Sequence, residues 1–146
     1  MREKEWHTCA MTVNGLPQRV RYRTDTVEHL FLPLLRRLTE LQRRSGQRCI
    51  VFLAAPPATG KTTLAQFLER LSHTEERLTP VQALGMDGFH YPNRCLAAHT
   101  IRQGGEEIPL KSIKGAPETF DVPARAAKPG AKREETVTFP VYDRRN

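Results

Sequence analysis

The chain has 146 residues, of which 38% are hydrophobic and 27% charged, a composition typical of one soluble domain. Its apolar runs are too short to cross a bilayer, which excludes a transmembrane protein. The formal net charge of +7 would suit nucleic acid or small phosphorylated ligands. The cations are spread over helix faces without interleaved aromatic residues, however, so we expect neither a nucleic-acid partner nor a membrane.

The cysteines and the N-terminus indicate the compartment. The first residues contain no apolar signal core, and the three cysteines lie far apart without a Cys-x-x-Cys pair. These features predict a cytoplasmic protein with reduced thiols. The spacing of His90, Cys95 and His99 does not match a zinc site. The sequence gives no indication of the oligomeric state.

The first predicted element is a β-hairpin in residues 1–24, because β-type runs flank the pair Asn14-Gly15. Leu16 and Pro17 predict a connection longer than two residues. Residues 25–44 then carry a helical stripe of leucines, ended by Ser45-Gly46. Pro33 lies inside this stripe and predicts either a kink or the start of a second helix.

The most informative stretch is residues 48–71, RCIVFLAAPPATGKTTLAQFLERL. An apolar run predicts a strand over 50–55, and leucines at helical spacing predict a helix after Thr63. Strand, loop and helix in this order are the context of a phosphate-binding P-loop, which predicts ATP and Mg²⁺ as cofactors. Ala55 stands where the motif has glycine. The alternative is a chance Gly-Lys-Thr that begins an ordinary helix.

This motif assigns roles to a continuous set of residues. Lys61 would contact the β- and γ-phosphates, and the Thr62 hydroxyl would bind the metal ion. The predicted nucleotide-binding residues are Ala58, Thr59, Gly60, Lys61, Thr62 and Thr63.

A second buried strand is predicted over 81–86 and ends at Asp87. Strand, helix and strand form a βαβ unit, so we expect a mostly parallel sheet. The carboxyl ends of its strands would place Asp87 near the γ-phosphate.

At this point the chain resembles a known superfamily. The segment MDGFHYPN, Met86–Asn93, looks like the DGF-x-YPN signature of bacterial pantothenate kinases, and also resembles the Asp-Ser-Phe segment of uridine kinases and phosphoribulokinases. KGAPETFD, Lys114–Asp121, and PVYDR, Pro140–Arg144, are similar to further segments of that superfamily. Together with the TVNG hairpin and APPATGKTT, they resemble a bacterial group called nucleoside/nucleotide kinase family protein or fructose transport system kinase.

The resemblance implies a fold and an activity. The fold is α/β, a P-loop NTPase with three α/β/α layers and a mostly parallel sheet, incomplete here and preceded by the hairpin. The activity is transfer of the γ-phosphate of ATP to a hydroxyl of a small molecule, such as a nucleoside, a pantothenate-like compound or a sugar. Asp87 would accept the proton of that hydroxyl, with Lys61 as its catalytic partner. The implied acceptor-binding residues are His90, Tyr91, Lys114 and Tyr142.

Three expectations concern the later part of the chain. Residues 93–119 predict a long acceptor-side loop. Residues 123–136 have few apolar positions and predict a flexible linker within a single domain, 1–146. The chain ends just after PVYDR, where members of the superfamily continue into a lid, so we expect a C-terminally truncated kinase with slow turnover. The alternative is a catalytically inactive ATP-binding module.

Overall fold

The computed structural model describes residues 5–121. The predicted linker 123–136 and Tyr142 lie outside these residues. The chain divides into two compact units, Met1–Leu84 and Gly85–Asn146, which are described separately below. The single domain over 1–146 stays a prediction.

The first unit begins with an antiparallel hairpin of β1 (Trp6–Val13) and β2 (Leu16–Arg23). Asn14 and Gly15 form the turn with φ values of 50° and 78°. Two left-handed residues in succession match the twist of the flanking strands, which is why Asn-Gly suits a two-residue connection. The longer connection predicted from Leu16 and Pro17 is therefore wrong, because both residues pair within β2.

A helical stretch follows the hairpin in three parts: α1 (Thr24–Thr26), a π-helical turn (Val27–Phe31) and α2 (Leu32–Ser45). Pro33 lies in the first turn of α2, where its missing N–H leaves no helical bond broken. The second of the two predicted outcomes for Pro33 is thus confirmed, since an α-helix starts beside it. Gly46 ends α2 in the left-handed region, with φ 63°, and its N–H donates to Gln42 O at 3.1 Å.

The core of the first unit joins the helical stretch to α3 (Lys61–Thr74). Three aromatic rings meet there: Tyr22 lies 4.5 Å from Phe67 and 5.2 Å from Phe31, measured between ring centroids. Edge-to-face and tilted ring pairs of this kind add to the free energy of burial. The buried cluster consists of Val27, Phe31, Leu35, Phe67, Leu71 and Leu78.

The predicted parallel sheet is not found in residues 5–121, where the sheets are two small antiparallel hairpins. Residues 50–55 have no regular secondary structure, and Phe52 is 76% exposed. An apolar run indicates a buried strand only if neighbouring strands complete its hydrogen bonds, and the strands of each described hairpin pair with each other. Residues 81–85 also lack strand structure, for a local reason given below.

The second unit contains α4 (Asn93–Ala98) and a hairpin of β3 (Thr100–Gln103) and β4 (Glu106–Pro109). Gly104 and Gly105 form its turn with φ values of 62° and 91°. The expected long loop over 93–119 is therefore wrong, because much of it is regular structure. Short 3₁₀ turns complete the unit at Met86–Phe89, Leu110–Ile113 and Pro117–Thr119.

Candidate functional site

The loop over residues 55–63 changes direction through two left-handed residues. Ala58 has φ 61° and Gly60 has φ 85°. Glycine occupies this region at little cost, but alanine is strained there because its Cβ approaches the backbone. The loop thus keeps its curvature at the expense of one strained residue.

Lys61 closes the loop on itself. Its Nζ donates to Ala55 O at 2.7 Å and to Pro56 O at 2.8 Å. The Thr59 hydroxyl also donates to Pro56 O, at 2.8 Å. The ammonium group therefore lies at the centre of the loop, where its charge is held by two backbone carbonyls.

The N-terminus of α3 opens into the same loop. Gly60 is the N-cap, and its carbonyl accepts the first helical hydrogen bond from Leu64 N at 2.9 Å. Within the described residues, the side chains of Thr62 and Thr63 have no hydrogen-bond partner. Unpaired N–H groups of a first helical turn carry partial positive charge, so this arrangement suits an anion.

The position of α3 is fixed by its opposite face and by polar side chains. Phe67 and Leu71 are buried in the core, and Arg70 Nη1 donates to Ala10 O of the hairpin at 2.9 Å. These contacts hold the helix that presents Lys61.

Residues 81–83 dock on side chains of α3 instead of pairing as a strand. The Ser72 hydroxyl accepts from Val81 N at 2.9 Å, and Glu69 Oε2 accepts from Ala83 N at 3.3 Å. These backbone N–H groups are thus satisfied without a sheet, which explains why the predicted strand is absent. Apolar patterning did not reveal the role of Glu69 and Ser72, since both read as polar positions of a helix face.

In the second unit, two segments of the kinase resemblance, Met86–Asn93 and Lys114–Asp121, pair with each other. Tyr91 N donates to Thr119 O at 3.0 Å, and Asp121 N donates to Phe89 O at 2.8 Å. His90 and Phe120 form an antiparallel bridge between these contacts. The MDGFHYPN segment is therefore held by the KGAPETFD segment.

Thr119 is the centre of this pairing and was not predicted. The residue is completely buried, and its hydroxyl donates to Ala116 O at 2.7 Å while accepting from Gly115 N at 3.1 Å. His90 Nδ1 lies 3.3 Å from both the hydroxyl and the carbonyl oxygen of Thr119. No feature of the sequence indicated Thr119, because a threonine in a loop is usually exposed to solvent.

The remaining predicted residues of the second unit are exposed or half-buried. Asp87 is exposed in its 3₁₀ turn, and its backbone carbonyl accepts from His90 N at 3.2 Å. Lys114 Nζ donates to Asn93 Oδ1 at 2.9 Å. Asp87, His90, Tyr91 and Lys114 thus share the second unit, whereas residues 58–63 belong to the first.

The imidazole of His99 lies against Cys95, four positions earlier in the chain. His99 Nδ1 lies 2.9 Å from Cys95 O, an oxygen that only accepts, so this nitrogen carries the proton. The Cys95 thiol lies 3.6 Å from the same nitrogen. Within residues 5–121, no cluster of three or more His, Cys, Asp or Glu side chains could hold a metal ion.

None of the helices in the described part of the chain combines the length and apolar character needed to cross a bilayer.

Three known proteins illustrate what the chain is similar to. The uncharacterized protein YggC of Escherichia coli K12 is 42% identical over 135 residues, which cover 92% of this chain and 53% of YggC. The pantothenate kinase of Cutibacterium acnes is 36% identical over 95 residues, covering 64% of this chain and 26% of that kinase. The pantothenate kinase of Yersinia enterocolitica is 30% identical over 139 residues, covering 81% of this chain and 40% of that kinase.

These similarities support a relationship to a pantothenate kinase-like family. The chain spans about half the length of YggC and less of the two kinases. No protein-family model matches the chain. No solved structure matches it significantly.

Proposed function

We propose that the chain is the nucleotide-binding part of an ATP-dependent kinase with a P-loop fold, which phosphorylates a hydroxyl of a small molecule. The observation that carries the proposal is the 55–63 loop, in which two left-handed residues lead into a helix N-terminus with Lys61 at its first position. The similarity to pantothenate kinases supports the same reading.

The residues of the loop fit a triphosphate. The first turn of α3 offers backbone N–H groups, and Lys61 offers a positive charge that is now held by two carbonyl oxygens. Anionic phosphate oxygens would compete well for that ammonium group, because charge-assisted hydrogen bonds are the stronger ones. The Thr62 hydroxyl has no partner within the described residues and would serve Mg²⁺.

On the acceptor side, Asp87 is the proposed proton acceptor for the attacking hydroxyl. Its exposed carboxylate precedes His90 and Tyr91, the two residues of this segment that contact Thr119. Bound ATP supplies the phosphoryl group, and the carboxylate accepts the proton that the hydroxyl loses as its oxygen bonds to phosphorus. His90, Tyr91, Lys114 and Tyr142 are proposed to bind the acceptor, and pantothenate is the first acceptor to test.

Two variants separate nucleotide binding from transfer. We expect Lys61→Met to weaken ATP·Mg²⁺ binding measured by calorimetry, whereas Lys111→Met, which removes a charge from an exposed turn, leaves binding unchanged. We expect Asp87→Asn to bind ATP normally but to lose phosphorylation of the acceptor by a factor of about 10² or more. Glu106→Gln, at an exposed position of β4, is its matched control.

The substrate assay would use pantothenate, uridine and fructose as acceptors, with ADP release and phosphorylated product both measured. Acceptor-dependent product that disappears in Asp87→Asn supports the proposal. ATP binding by the Lys61→Met variant that is as tight as binding by the wild type would contradict it.

A nucleotide-binding module without transfer is the second candidate. The observation in its favour is the exposed apolar stretch 50–53, which lacks the sheet that normally supports a donor loop. In that case ATP would bind in a Lys61-dependent manner, and no acceptor of the panel would be phosphorylated.

A further inference from the structure

We propose that Thr119 holds His90 as the tautomer with its proton on Nδ1, so that Nε2 is a hydrogen-bond acceptor for a hydroxyl or amide N–H of the acceptor molecule. The inference about the ligand rests on the kinase function proposed above. The inference about the tautomer rests on the geometry alone.

The hydrogen atoms around Thr119 can be assigned one by one. Its hydroxyl proton points to Ala116 O at 2.7 Å, because a backbone carbonyl can only accept. One lone pair of the hydroxyl accepts from Gly115 N at 3.1 Å. The contact of 3.3 Å to His90 Nδ1 therefore uses the remaining lone pair.

The carbonyl oxygen of Thr119 gives the same result independently. It accepts from Tyr91 N at 3.0 Å and lies 3.3 Å from His90 Nδ1. Both oxygen atoms facing Nδ1 thus present lone pairs, and only an Nδ1–H can satisfy them. The other tautomer would turn three acceptors toward one another at a buried residue, so we expect the Nδ1–H form to exceed it by at least about tenfold.

The ring is also held in its plane. His90 stacks on Phe120 with 3.8 Å between ring centroids and 25° between planes, and the backbone bridge joins the same two residues. A ring flip would exchange Nδ1 for a carbon atom next to Thr119. The stacked face and the bridge oppose that exchange and keep Nε2 on the opposite edge of the ring.

Nε2 therefore carries the free lone pair of the neutral ring. It has no hydrogen-bond partner within residues 5–121, and the side chain is half-buried. A lone pair accepts from a hydroxyl or an amide N–H, whereas an ionised carboxylate has no proton to offer it. The second unit thus selects substrates that carry a hydrogen-bond donor in addition to the hydroxyl that is phosphorylated.

The tautomer is measured by long-range ¹H–¹⁵N correlation on the full chain labelled with ¹⁵N-histidine, at a pH where the rings are neutral. His90→Gln assigns the signal. The expected spectrum shows a protonated Nδ1 and an unprotonated Nε2 for His90. His7, His29 and His73, which are exposed and whose side chains have no hydrogen bond in the described part of the chain, serve as references with the ordinary mixture of tautomers. A proton on Nε2 of His90 would overturn the proposal.

Two variants test the role of Thr119, and a ligand tests the role of Nε2. Thr119→Ser keeps the hydroxyl and should keep the tautomer, while Thr119→Val should lower the Nδ1–H fraction; equal fractions in the two variants would overturn the part assigned to the hydroxyl. The wild-type measurement decides the tautomer even if a variant fails to fold. Pantothenate should move the Nε2 resonance and leave Nδ1 in place, whereas acetate, an anion with no proton to donate, should move neither. An Nε2 resonance that does not move at high pantothenate concentration would overturn the assignment of the ligand. A Nδ1–H tautomer in a protein without kinase activity would count against the proposed function alone.

Discussion

Replacing Ala58 by glycine should stabilise the first unit, which is unusual for a change that removes a side chain. Ala58 has φ 61°, a left-handed conformation that costs an L-residue about 1–2 kcal/mol. Glycine removes this cost but gives the unfolded chain more freedom, which opposes folding by about 0.5–1 kcal/mol. The net expectation is a gain of about 0.5–1 kcal/mol in the free energy of unfolding.

The matched control is Ala65→Gly inside α3, where the same chemical change should have the opposite sign. There the alanine is helical, and glycine should lower the free energy of unfolding by about 1 kcal/mol. Gly60→Ala completes the set, because an alanine at φ 85° should cost about 1–2 kcal/mol although no atom beyond the two adjacent residues lies within 4 Å of the added Cβ.

Urea unfolding followed by far-UV circular dichroism measures all three variants, with the slope of the transition as a check that the same surface is exposed. The reasoning is refuted if Ala58→Gly destabilises the protein as much as Ala65→Gly does. That result would mean that residue 58 is not left-handed in solution. If the three signs agree with expectation, the curvature of the loop that presents Lys61 is established.

Three further changes test the core of the first unit by the same unfolding measurement. Phe67→Ala removes a ring that is 4% exposed and should cost about 3–5 kcal/mol, whereas Phe52→Ala, at 76% exposure, should change stability by less than about 0.5 kcal/mol; similar losses would contradict the described core. Gln66→Met should add about 1 kcal/mol, because Oε1 of Gln66 is buried without a partner in the described residues, and a loss of stability would show that it has one. Burial, and to a smaller extent the Cys9 thiol, raises the pKa of Tyr22 above 10.0. The stability gained by burying the neutral phenol is complete below the pKa that Tyr22 has in the unfolded chain. It is lost as the pH rises through the pKa that Tyr22 has in the folded protein. Tyr22→Phe should therefore be more stable than wild type at about pH 11. Tyr91→Phe is the control, and an equal gain in stability for that variant would argue against burial of Tyr22 as the cause.

Features that depend only on neighbouring residues could be predicted from the sequence. Asn14-Gly15 predicted the hairpin because two successive residues must adopt positive φ, and few pairs other than Asn-Gly do so readily. The leucine stripe and Gly46 predicted α2 and its end, and the run after Gly60 predicted α3. These elements need only local spacing and local backbone preferences, which a sequence displays directly.

The tertiary structure alone decided what depends on distant partners. Residues 50–55 have the composition of a buried strand, yet a strand exists only if another strand completes its hydrogen bonds. Residues 81–83 satisfy their N–H groups on Glu69 and Ser72, an alternative that apolar patterning cannot reveal. Thr119 is the clearest case: it holds His90 from 29 positions away in sequence through three-dimensional contacts of single atoms, and no spacing rule encodes such contacts.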